Sequence, residues 1–238
     1  MKPKLVNHCG IYVVRDDLYP GGTKARYLQM IQAQEIVYAS PAEGGAQYAI
    51  AHVAKQRGIK ATIFVADRAT PHPRQIQAEA LGATIHKIRP GYMTVVRARA
   101  REYAEKTGAY YLPFGIDTPA AVNCITRAAI RSCWPWQPEE IWCAAGSGTL
   151  ARAMAAAWPN AEQHVVQVGR ELFDADVPGA VIHIHPLKFG QSCKTRPPFP
   201  SDQFYDAKAW EICLRHHKSR RTLFWNVAGP AIIDHKYL

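Results

Sequence analysis

The chain has 238 residues, 48% of them apolar, with 29 Lys and Arg against 19 Asp and Glu and a formal net charge of +10. That composition allows a sizeable buried core and excludes a disordered or fibrous chain; no stretch approaches the length of a membrane span, and the apolar run near the N-terminus is too short for a signal peptide. The six cysteines are scattered without a CxxC pair, which predicts reduced thiols in a cytoplasmic protein, and the basic balance favours acidic partners such as nucleic acid or phosphorylated substrates.

In chain order, residues 15–34 (RDDLYPGGTKARYLQMIQAQ) set Pro20-Gly21-Gly22 before a helix predicted to start near Thr23 or Lys24. Strand-like runs then alternate with helix-like ones: 36–39 then 45–56, 61–65 then 73–81, 84–88 then 93–106. Residues 120–132 and 149–157 read as helices, and 140–144, 164–168 and 181–184 as strands. From about 186 the chain becomes proline-rich and polar and is predicted to cross in extended form, before a helix at 205–216 and a strand at 222–227. Alternation of this kind predicts an α/β fold with mostly parallel sheets.

Two places carry candidate chemistry. Lys24 falls in the first turn of its helix, where the dipole disfavours a cation, so a neutral amine able to form an imine is easier to reach. On these residues alone a solvated surface lysine is the plainer reading. The run EEIWCAAGSGTLARAMAAAW reads as strand, glycine turn and helix, and Gly146-Ser147-Gly148-Thr149 form an anion cradle suited to one phosphate group. The turn matches neither a dinucleotide fingerprint nor a P-loop, and a close-packing turn would look the same.

Taken in order, these segments resemble the fold-type II pyridoxal-phosphate enzymes, the tryptophan synthase β superfamily, and within it the aminocyclopropane-carboxylate deaminase and D-cysteine desulfhydrase branch. RDDLYPGGTKARYL is similar to the branch's lysine motif, residues 39–88 to its substrate loop, helix, strand and helix, TGAYYLPFGIDTPAAV to the segment that returns to the large domain, and AAGSGTLARAMA to its phosphate cup. Tyr205-Asp206-Ala207-Lys208-Ala209 is similar to a Tyr-x-Gly-Lys-type motif whose tyrosine faces the substrate, and LFWNVAGP to a strand ending in glycines beside the cofactor ring.

The resemblance implies two interleaved three-layer α/β/α domains, residues 1–37 with 125–238 holding pyridoxal 5'-phosphate and 38–124 carrying the substrate loop, in a homodimer. It implies Lys24 as Schiff-base lysine, Gly146 to Thr149 as phosphate cup, Tyr205 as the proton-transfer or orienting group, and Asn226 beside the pyridine nitrogen. Chemistry would run through an external aldimine, as elimination, deamination or decarboxylation. The loop asparagine of the family, which contacts the cofactor's ring hydroxyl, has no clear counterpart, with Ser40 or Gln47 as the candidate substitute; Ser40, Gly44, Gly45 and Gln47 stand in the substrate loop, and the chain is shorter around the large domain, which implies an open site. An open site and a basic surface, with charge gathered at residues 214–221 and at Lys87, Arg89, Arg97, Arg99 and Arg101, admit an amino-acid group attached to a nucleic-acid base as substrate. A free small amino acid and a non-catalytic nucleic-acid-binding relative are the alternatives. His183 and His185 share a strand face without a third residue at metal spacing, so no metal is expected there. Trp134, Trp136, Trp142 and Trp158 read as core or dimer packing.

Overall fold

A computed structural model describes residues 2–133 and 135–230. The chain divides into two compact units, one of residues 1–23 and 117–230, the other of 24–116. In the first, a six-stranded sheet has the order β1-β2-β10-β7-β8-β9, with β1 (Leu5–His8), β2 (Ile11–Arg15), β7 (Glu140–Ala145), β8 (Glu162–Gln167), β9 (Val181–Ile184) and β10 (Thr222–Asn226). Only the β1–β2 pairing is antiparallel; the other four are parallel. The second unit has a parallel sheet of order β5-β4-β3-β6, formed by β3 (Glu35–Ala39), β4 (Lys60–Ala66), β5 (Thr84–Ile88) and β6 (Tyr110–Leu112).

Helices cover both faces of each sheet, and the sequence explains why. Buried parallel strands need apolar side chains on both faces, and all six residues of β7, EIWCAA, are buried. On one face, α5 (Pro119–Cys133) and α6 (Thr149–Ala157) pack Ile125, Ala129, Leu150 and Met154 against Ile141, Leu223 and Trp225. On the other, α7 (Asp206–His216) packs Ala209, Trp210 and Cys213 against Trp142, Val166 and Phe224. In the second unit α2 (Ala46–Arg57) and α3 (Pro73–Ala80) cover one face, while α4 (Met93–Thr107) sets Val96, Ala100 and Ala104 against Val37 and Phe64 on the other. The predicted helices and parallel strands stand within one or two residues of their expected bounds. Trp142 and Trp158 are core residues, Trp136 is half-buried with its ring 4.7 Å from that of Tyr12, and Trp134 lies outside the described residues.

Two features were not anticipated. The N-terminal run forms a hairpin: Cys9 and Gly10 are its two loop residues, both at positive φ (54° and 82°), as a type I′ connection requires. Cysteine is a poor signal for such a turn, since it rarely adopts left-handed backbone. The other is β6, too short at three residues to show a period.

Candidate active site

In the first unit β2, β10, β7 and β8 run parallel, so their carboxyl ends gather the loops that follow them at one end of the sheet, where open α/β sheets bind ligands. The loop after β2 leads to the lysine. Arg15 holds Asp17 through two 2.7 Å bonds, Nε to Oδ1 and a terminal nitrogen to Oδ2. Asp16 is fully buried and accepts the Thr23 hydroxyl at 2.8 Å, and Thr23 in turn accepts the Trp225 indole N–H at 2.9 Å. The Thr23 amide donates to the Val227 carbonyl at 3.0 Å, and Gly22, at φ +66°, lies so close to that carbonyl that a Cβ would collide with it. β10 therefore fixes where α1 (Gly22–Leu28) begins, and Lys24 is its third residue, half-buried in the first turn as expected.

After β7 the chain turns through Gly146-Ser147-Gly148 into α6. Gly148 has φ +84°, and a Cβ there would sit 2.5 Å from the Asp176 carbonyl, so only glycine makes this turn. The N–H groups of a first helical turn have no intrahelical acceptor. Its N-cap residue, Gly148, has no side chain with which to cap it, and the Ser147 and Thr149 hydroxyls beside it are hydrogen-bonded to each other at 2.9 Å. Arg152 braces the turn from outside, donating to the carbonyls of Asp176 at 2.7 Å and Ser147 at 3.4 Å and pairing with Asp117. The arrangement is a rigid cradle of donors with a basic residue behind it.

Tyr205 closes one side. Its hydroxyl donates to the Ala144 carbonyl at 3.2 Å and accepts from the Gly146 amide. Burial, with Asp206 and Cys143 nearby, pushes the phenol well above its ordinary range, so it remains a neutral hydroxyl. Asn226 is fully buried; its Nδ2 donates to Asp17 Oδ1 and to the Pro200 carbonyl, both at 2.8 Å, while its Oδ1 has no hydrogen-bond partner among the described residues. The structure adds Asp206, a fully buried carboxylate in the first turn of α7 that accepts the Ala228 amide at 3.3 Å. In the sequence Asp206 is an acidic residue opening a helix, indistinguishable from ordinary dipole compensation; its full burial is the signal, and sequence does not show it.

In the second unit, the loop after β3 turns its polar side chains on itself. The Ser40 hydroxyl donates to the Pro41 carbonyl at 2.9 Å, and the buried Gln47 amide donates to Pro41 and Ala42 carbonyls, each at 2.9 Å. Gly44 packs against Ser40 and Pro41, whereas Gly45 faces open space.

The basic runs are largely engaged within the chain. Arg215 pairs with Glu211, Arg221 with Glu139, Arg99 with Glu102 and Arg89 with Asp67. Arg97 and Arg101 lie over the rings of Phe114 and Tyr111, at 4.8 and 5.5 Å. His183 turns to His164 at 3.0 Å. His185 comes within 4.8 Å of Cys193 and Glu211, two residues that arrive from elsewhere in the chain, while His183 is not part of that group.

The model of the pyridoxal-phosphate dependent enzyme family matches residues 3–181. No curated protein matches the chain. Among solved structures, an ACC deaminase homologue covers 92% of this chain and 84% of its own at 18% identity and a TM-score of 0.77. Maize serine racemase covers 99% and 90% at 13% identity and 0.70, and threonine deaminase isoform 2 from Solanum lycopersicum 95% and 77% at 14% and 0.68. At these identities the structures share the fold, while the family model spans three quarters of the sequence; the chain belongs to the pyridoxal-phosphate dependent enzyme family.

Proposed function

We propose that the chain is a pyridoxal-phosphate-dependent lyase acting on the amino group of an amino acid or related amine, nearest in kind to the aminocyclopropane-carboxylate deaminase branch. The observation that carries this reading is the uncapped glycine turn at 146–149. Its residues fit the cofactor on two counts: a helix start whose N–H groups and two hydroxyls suit a phosphate, and a buried Asn226 Oδ1 without a partner among the described residues. The proposal gives the cofactor's phosphate to the turn at 146–149 and the substrate to the loop at 40–47, in a homodimer. Six free thiols support a cytoplasmic setting.

When bound, pyridoxal phosphate supplies an aldehyde that captures an amine and a ring that draws electron density from the bonds at the α-carbon. Gly146 to Thr149 would hold its phosphate. Lys24 is the residue that would tether the aldehyde, and its amine would hold or move a proton at the substrate α-carbon. Tyr205, kept neutral by burial, orients rather than titrates. Asn226 and Asp206 are the two buried polar candidates for a ring-nitrogen partner; an amide would not retain a ring proton as a carboxylate does, so Asp206 is the one that would strengthen the electron sink. Ser40, Gly44, Gly45 and Gln47 shape the loop that meets the substrate, with Ser40 and Gln47 acting through the backbone they hold in place.

A second reading takes an amino-acid group carried on a larger anion, such as a nucleic-acid base, as the substrate; the net charge of +10 favours it and the internal pairing of so many arginines weighs against it. Turnover that falls steeply with salt would support it, and salt-independent turnover of free amino acids would remove it.

The test is the visible absorbance of purified protein with added cofactor, repeated for Lys24→Ala, with borohydride reduction and peptide mapping. A band lost in the variant and a pyridoxyl group on Lys24 are expected. Protein that neither absorbs nor binds the cofactor, yet retains nucleic acid, would replace the enzyme reading with the binding one.

A further inference from the structure

The segment from 186 to 204 has no regular secondary structure, although it carries Pro200 to Asn226 and delivers the chain to Tyr205. A connection of that length inside a compact unit needs something to hold it. Part of the answer is Lys208, buried on α7, whose Nζ donates to the carbonyls of Lys188 at 2.7 Å, Leu187 at 3.4 Å and Phe189 at 3.5 Å. The rest of the segment converges on a second cluster.

His185, just past β9, Cys193, midway along the segment, and Glu211, on α7 more than a turn beyond Asp206, place a ring nitrogen, a sulfur and a carboxylate oxygen within 4.8 Å of one another. The Cys193 thiol donates to Glu211 Oε2 at 3.2 Å, and the Thr195 hydroxyl to the same oxygen at 2.5 Å. Arg215 donates to Glu211 Oε1 at 2.5 Å from a side chain that is mostly in solvent. The unexplained group is His185. Its side chain is 2% exposed, and its Nε2 has no hydrogen-bond partner among the described residues and points at Glu211 Oε1 from 4.0 Å, too far to bond it. A buried ring nitrogen without a partner is destabilising, and here it faces a thiol and a carboxylate.

We propose that His185, Cys193 and Glu211 bind a zinc-class transition-metal ion that clips the 186–204 segment between β9 and α7. One imidazole nitrogen, one thiolate and one carboxylate are three of the four ligands of a tetrahedral zinc site, leaving the fourth position to water. The thiolate selects such an ion over magnesium or calcium.

Binding has a defined proton balance. The Cys193 thiol loses its proton to solvent and its bond to Glu211. The Thr195 hydroxyl stays on Oε2, and Arg215 leaves Oε1 for water or shares it. His185 Nδ1 now accepts the Leu187 amide at 3.1 Å, which puts the ring proton on Nε2. Ligation through Nε2 moves that proton to Nδ1 and releases the Leu187 amide. The loss of that one bond is small beside the affinity of a zinc-class ion for an imidazole, a thiolate and a carboxylate together.

The test uses untagged holoenzyme, exchanged first into chelator and then into zinc or cobalt(II). After removal of free metal, one zinc should remain per chain by elemental mass spectrometry. The cobalt protein should show intense d–d bands to the red of the cofactor's own absorption, as a four-coordinate site requires. Cys193→Ser should lose both, Cys9→Ser neither, and Thr195→Ala should weaken metal binding by about 10- to 100-fold, as loss of a ligand's supporting bond does. Should Cys193→Ser fail to fold by circular dichroism, His185→Gln decides in the same way. A native protein that retains no zinc and gives no cobalt bands, or a folded ligand variant that keeps them, overturns the assignment.

Discussion

The turn at 146–149 and the loop at 40–47 are built to the same plan, each leaving a buried parallel strand and opening a helix, yet they use their polar groups in opposite ways. At 146–149 the N-cap is a glycine with no side chain to spend on the helix-start amides, and the hydroxyls of Ser147 and Thr149 are bonded only to each other among the hydrogen bonds of the described residues. At 40–47 the Ser40 hydroxyl and Gln47 amide are spent on the loop's own carbonyls. The first turn is prepared for the oxygens of something else; the second is prepared to hold its own shape. On the proposed reading, phosphate recognition falls to the turn at 146–149, and whatever the loop at 40–47 contributes to a substrate comes from its backbone.

Gly148→Ala attacks the first region hardest. Forcing φ +84° on alanine costs on the order of 1–3 kcal/mol, before the collision with the Asp176 carbonyl is relieved. Cofactor affinity should collapse together with the denaturation midpoint; a variant that retains the cofactor at native affinity would show that the turn is not the cradle. The mirror experiment is Gln47→Leu, which leaves the Pro41 and Ala42 carbonyls without their donor and should cost about 1–3 kcal/mol in urea unfolding. Its cofactor affinity should stay near native. Lost affinity without lost stability would reverse the roles assigned to the two regions.

Acid gives a further handle on the first unit, which holds the paired histidines His164 and His183. Burial, foremost, holds both His164 and His183 below the usual histidine range, and His183 is lowered further by His164 itself. The unfolded chain takes up these protons near pH 6.5, where the folded chain resists them, so stability is full above that value and falls as pH drops below it. Denaturation midpoints taken from pH 8 down to pH 5.5 should show this decline, and His183→Gln should flatten it. A variant as acid-sensitive as the parent would place the titration elsewhere.

How far the sequence reaches follows the distance over which each feature is encoded. The βα units were legible because each is written locally, as an apolar run and a helical period, and the 146–149 turn because strand, glycines and helix are contiguous. The β1–β2 hairpin was not, since its turn uses Cys9 where Asn or Asp would announce it. Asp206 was hidden because burial is a tertiary property. The approach of His185, Cys193 and Glu211 depends on how an irregular segment folds back on α7, and no period or spacing records that. The roles of Ser40 and Gln47 were open for a related reason: sequence names the donors but not the carbonyls that take them.

Smaller changes sharpen the contrast. Ser147→Ala removes one hydroxyl from the cradle and should weaken cofactor binding roughly fivefold, about 1 kcal/mol, with unfolding unchanged. The finest test is Gly45→Ala. Its neighbour Gly44 is enclosed, with Ser40 Oγ 2.6 Å and the Pro41 carbonyl 3.1 Å from where a Cβ would stand, but Gly45 has nothing within 4 Å and takes ordinary helical backbone. Alanine there should move stability by no more than about 0.5 kcal/mol. If substrate is met by backbone at this point, the added methyl raises KM while leaving the fold and cofactor affinity intact. Should KM also be unmoved, the open face of Gly45 is merely surface, and the substrate contact must be sought elsewhere along the loop.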